Sequence, residues 1–241
     1  MARRSFKDVL ARTGIRPTVG DQNATRHYSE TFSKELALWI RGLLEHDPRI
    51  HTVLTPEAPV RTCYGKKSLD VGCLDESNYL ALDISIKTFN FRDAKTGRYS
   101  HNFTGRFYEL LGEGLDLRQS YPAAVLCALV FLPTDGCDDW TPRAPSSFGH
   151  AVSLFSKIAG RGKVSEHSLS FEYLFFGLHE PAGIISFFDG SIPPPRKGPP
   201  PIGQLLSVEA VLERLLDLVK RRSELRTPGS MNVKPAFRWA D

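Results

Sequence analysis

No CxxC pair occurs among the four cysteines of these 241 residues, Cys63, Cys73, Cys127 and Cys137. Three of them lie in or beside apolar runs, so small buried thiols are expected rather than zinc ligands or a disulfide framework. No apolar stretch reaches about 18 residues, so no membrane span is expected. The start, MARRSFKDVLARTG, is basic but lacks the apolar run of a signal peptide. A soluble, cytoplasmic protein in a reducing setting follows as the expectation. There is no GxxxxGK(S/T) loop to cradle phosphates, no GxSxG elbow to expose a nucleophilic serine, and no HExxH pair to hold zinc. No internal repeat is visible.

What is present suits one domain of generous size. Apolar residues make up 41% of the chain and charged residues 24%. The net charge of +4 permits a polyanionic partner without requiring one. Residues 1–26 read as a basic arm with a short helix near Phe6 to Ala11. Residues 28–45 read as a helix, because Phe32, Leu36, Trp39, Ile40 and Leu43 recur at the helical period. Three strands are expected next, at about Val60–Tyr64, Ser68–Leu74 and Tyr79–Thr88, joined by tight spacers. A helix at about Thr104–Gln119 and an almost wholly apolar strand, Ala123–Leu132, follow. Further along come a helix at Ser147–Ala159, a strand pair at Phe171–Leu178 and Gly183–Phe188, and a proline-rich linker at 191–204. An amphipathic helix, Leu205–Arg222, precedes a loose tail within 205–241.

The stretch LDVGCLDESNYLALDISIKTFNFRD (69–93) carries charge where buried strands should carry none. In the third strand Leu80, Leu82, Ile84 and Ile86 face one way, and Ala81, Asp83, Ser85 and Lys87 face the other. Asp70 stands in the strand before. Neither Asp70 nor Lys87 is cheap to bury unless paired or bound to a cation. Carboxylates on neighbouring strands can hold Mg²⁺, and an ammonium beside them can stabilise charge that develops on a phosphate. The following loop adds Arg92, Lys95, Arg98 and Arg106 against one acid, Asp93, with Phe89, Phe91, Tyr99 and Phe103 interleaved. Such a mixture suits phosphate contacts and base stacking, and equally a solvated loop anchored by its aromatics.

Over residues 28–132, the pieces SLDVG and LALDISIKTF, set in the order helix, three strands, helix, strand, resemble the PD-(D/E)XK nuclease superfamily. The resemblance implies an α/β fold: a restriction-endonuclease-like αβββαβ core within residues 27–190, a mixed central sheet flanked by helices, and C-terminal additions. It implies a nuclease that hydrolyses DNA with Mg²⁺ or Mn²⁺, in restriction, defence, repair or mobile-element processing, acting as a homodimer or with a partner subunit and without a membrane. Asp70 would bind the metal, and Lys87 would orient water or stabilise the transition state. Ser85 stands where the motif has an acid. Glu35 on the first helix, Asp83 four residues before Lys87, and Glu113 at the border of the Leu110/Leu117 face are the candidates to supply the missing carboxylate; Glu35 and Asp83 are the preferred metal ligands. The alternative is a nuclease fold that has lost catalysis and binds nucleic acid or a protein. A purely structural Asp70–Lys87 ion pair is the third reading.

Overall fold

The computed structural model describes residues 4–18, 20–160 and 171–225; most of the expected tail lies outside them. Ser5 and Asp8 form a reciprocal cap at the start of α1 (Phe6–Thr13). The Asp21 carboxylate accepts the Ala24 N–H and starts α2 (Gln22–Leu44). Within the expected basic arm 1–26, residues 6–13 and 22–26 are therefore helical, and α2 begins before residue 28. Strands β1 (Thr52–Val53), β2 (Ala58–Thr62), β3 (Gly65–Leu69), β4 (Val71–Leu74) and β5 (Leu80–Thr88) precede α3 (Phe103–Ser120) and β6 (Val125–Pro133). Then come α4 (Ser147–Phe155), β7 (Tyr173–His179), β8 (Ile185–Asp189), β9 (Leu205–Leu206) and α5 (Val208–Leu225).

Seven strands form one mixed sheet in the order β1-β4-β5-β6-β7-β8-β9. β5, β6 and β7 run parallel, and the other neighbours are antiparallel. Parallel central strands are covered on both faces, which is why β6 is buried along its whole length. The expected strand Ser68–Leu74 is broken at Asp70. Its second half, β4, joins the sheet, whereas its first half, β3, peels away and pairs only with β2 as a separate ribbon.

Alternation along the strands divides the core. On one face Leu126, Ala128, Val130, Leu174 and Phe176 pack with Leu110 and Leu117 of α3 and Phe148 and Phe155 of α4. On the other, Leu82, Ile84, Ile86, Leu129, Phe131, Phe175 and Phe187 pack with α1, α2 and α5. The stretch 191–204 leads into β9 on the sheet edge, and Val211, Leu215 and Val219 of α5 are buried in the second layer. The fold is thus α/β, with helices on both faces of a mixed sheet. Among the described residues no helix is long and apolar enough to cross a membrane.

Candidate active site

Asp70 stands at the fork where β3 leaves β4. The β4–β5 ladder ends at Val71 opposite Ile84, and the Asp70 carboxylate then accepts the Ile86 N–H at 2.6 Å. The side chain thus satisfies a backbone donor near the end of the ladder, through a charge-assisted bond. Because Leu82, Ile84 and Ile86 point toward α2 and α5, the strand period sends Asp83, Ser85 and Lys87 to the α3 face. All three are buried polar residues.

α3 answers them with Glu113. The Lys87 ammonium donates to both Glu113 oxygens at 3.1 and 3.3 Å, and Lys67 of β3 approaches the same carboxylate at 3.4 Å. The Ser85 hydroxyl donates to Asp83 at 3.2 Å. These groups line one cavity of about 500 Å³ at the sheet fork, which Ser33 and Lys34 of α2 border from the side. Asp70 and Lys87 share that cavity, but Lys87 pairs with Glu113, so the structure offers no Asp70–Lys87 ion pair.

The three acids differ in proton affinity. Burial, then the charges of Glu113 and Asp70, push the Asp83 carboxyl up to about 8. Burial also raises Asp70, against the opposing Ile86 N–H and Lys87. Burial alone would raise Glu113, but the Lys87 and Lys67 ammoniums outweigh it and hold the carboxyl below the usual range. The cavity therefore sets a proton-retaining acid, Asp83, beside an ionised one, Glu113, with Asp70 and the Lys67 and Lys87 side chains around them.

Glu35 is not brought to this cavity. Ser33 lines it, and Glu35 lies two residues on, about 200° around the helix. Its carboxylate instead faces Arg4, 3.6 Å away. This flank of α2 receives α1, with the Phe6 ring 6.4 Å from Phe32 and 5.6 Å from Trp39. Of the three acids expected as candidates for the missing carboxylate, Glu113 is the one that meets Lys87. The spacing Leu110, Glu113, Leu117 was the available signal, since i, i+3 and i+7 share one helix face.

The loop after β5 is tied to the body of the protein. Arg92 donates to the Gly97 carbonyl at 2.7 Å and to Asp135 at 3.0 Å, and lies over the Tyr99 ring at 4.8 Å. Arg98 donates to the Pro145 carbonyl. Phe89, Tyr99 and Phe103 are buried, and Phe91 packs edge-on against Tyr28. Of the four cations expected to meet nucleic acid, Lys95 is exposed, and Arg106 sits at the cavity, pairing with Glu109 at 2.6 Å.

Among the described residues no three His, Cys, Asp or Glu side chains are arranged to hold a metal ion. The donor chemistry of the cavity still suits a hard cation. Its acids offer only oxygen, two carboxylates with water and phosphate suffice for Mg²⁺, and a cation would offset the Glu113 and Asp70 charges that add to burial in raising Asp83. No protein-family profile, curated protein or solved structure matches this chain.

Proposed function

We propose that the chain is a Mg²⁺-dependent nuclease of the PD-(D/E)XK type acting on DNA, with its acid moved from the strand to α3. The observation that carries this reading is the gathering of Asp70, Lys87 and Glu113 around one cavity at the sheet fork. Asp70 and Glu113 would hold the cation. When bound, it neutralises phosphate charge and acidifies water. The chain's own groups do the rest. Lys87 places an ammonium where negative charge grows on the phosphate. Ser85 orients Asp83 by its hydrogen bond.

A second reading, a nuclease fold that binds without cutting, is favoured by one observation: both Glu113 oxygens already accept from Lys87. Incubation with linear and supercoiled DNA under Mg²⁺, Mn²⁺ or EDTA separates the two. The nuclease reading expects cutting that EDTA abolishes and that Lys87→Ala or Glu113→Gln slows by about 10²-fold or more. DNA retarded in a gel but never cut, with no response to Lys87→Ala, would establish the second reading instead.

A further inference from the structure

We infer that the β2–β3 ribbon grips the phosphate backbone of duplex DNA through Arg61 and Lys66, beside the candidate active site. This rests on the nucleic-acid reading above, although its test requires no cleavage.

The ribbon's orientation is fixed by its apolar row. Ala58, Val60 and Leu69 are buried, so the alternate positions must face outward. Arg61 and Lys66 are directly opposed there in the pairing register, and both are exposed. Like charges set opposite one another destabilise a strand pair, so the arrangement works against the ribbon's own stability. Neither side chain has an ion-pair partner among the described residues. From Ala58 to Leu69 the sequence holds Arg61, Lys66 and Lys67 and no acid. Arg49, Arg92, Arg118 and Arg222, by contrast, are all tied to carboxylates. A pair of uncompensated cations on a rigid ribbon is matched by an external polyanion.

The ribbon is also held in place. The Cys63 N–H donates to the Ser120 hydroxyl at 2.8 Å, and the Tyr121 hydroxyl donates to the Arg61 carbonyl. Little ordering would therefore accompany binding. Tyr64 at the turn is 70% exposed, and a two-stranded ribbon fits the major groove of a duplex. Lys66 lies four residues up the strand from Asp70, about 13 Å, which spans about four base-pair steps. On the opposite face of the same strand Lys67 reaches Glu113, so one short segment joins the gripping surface to the cavity.

The test uses the full chain and a 30-base-pair duplex in EDTA, where no cutting occurs. Affinity is measured against salt for the wild type and for an Arg61→Gln, Lys66→Gln double variant. The expected result is weaker binding, with a slope of log affinity against log salt that is shallower by about 2, near 0.9 per lost phosphate contact. A second measurement needs no variant. Cys63 is exposed while Cys73, Cys127 and Cys137 are buried, so a maleimide should label Cys63 first. Saturating duplex should slow that labelling several-fold. Unchanged affinity and slope in the double variant, unprotected Cys63 with DNA bound, or equal protection by polyglutamate would each overturn the inference. Failure to cut DNA in Mg²⁺ would sink the nuclease reading and leave this result standing.

Discussion

Replacing Asp83 with Asn should stabilise the protein, increasingly so as pH rises. The folded chain keeps a proton on Asp83 up to about 8, whereas an unfolded chain releases it near the ordinary 3.8. Between those values the native state binds more protons, so each step up in pH favours unfolding. The slope is roughly 1 kcal/mol per pH unit. His179 works in the opposite direction at lower pH. Burial between Phe6 and Phe32 holds its imidazole down at about 4, against an ordinary 6.5. Its contribution to stability is therefore present above pH 6.5 and is lost as pH falls toward 4. The two effects oppose each other below 6.5, so the clean window for Asp83 is pH 6.5 to 8. Across it the wild type should lose about 1–2 kcal/mol in urea unfolding relative to Asp83→Asn. Asn keeps the shape of a protonated carboxyl and can still bond Ser85, so packing is preserved. Parallel stability curves for the two proteins across this window would refute the account of Asp83 as a buried, repelled acid.

Other perturbations test neighbouring parts of the structure. Glu172 is buried and accepts from Arg118 and Arg222 at 2.8 and 2.7 Å, so Glu172→Ala leaves two buried cations facing each other. A loss of about 3–5 kcal/mol is expected, read as a melting point lower by roughly 10 °C. His179→Phe should flatten the acid limb of stability between pH 6.5 and 4, measured by urea unfolding. Glu35→Gln, remote from the cavity, should change any Mg²⁺-dependent cutting less than about twofold, against the loss of about 10²-fold or more expected of Glu113→Gln.

The alternation in LALDISIKT was enough to read which side chains share a face, because a strand's period is two and its apolar set must point inward. The break at Asp70 was not readable there. Whether a strand runs on or forks depends on which partner claims it, and β2 claims β3. Glu113 carried a local signal in its spacing from Leu110 and Leu117, masked by its resemblance to a solvated pair with Glu109. The helical wheel placed Glu35 correctly beside Phe32 and Trp39, but it could not show that α1 would cover that flank. Arg92 and Arg98 looked free because their partners include backbone carbonyls, which a sequence does not display. The Arg118–Glu172–Arg222 cluster draws on three distant segments and leaves no local trace.

The layer built from α1, α2 and α5 takes two helices from before the sheet strands and one from after them, which matters during synthesis. Strands β4 to β8 leave the ribosome before the segment that completes their cover over β5, β6 and β8. At about 5–20 residues per second, the interval from Phe187 to the end of α5 lasts roughly 2–8 s. For that time Phe131, Phe175 and Phe187 wait for the α5 side of their layer. Docking of α5 is thus a closing step, and a nascent chain stalled before Val208 would present those rings as a sticky surface to chaperones or to other chains.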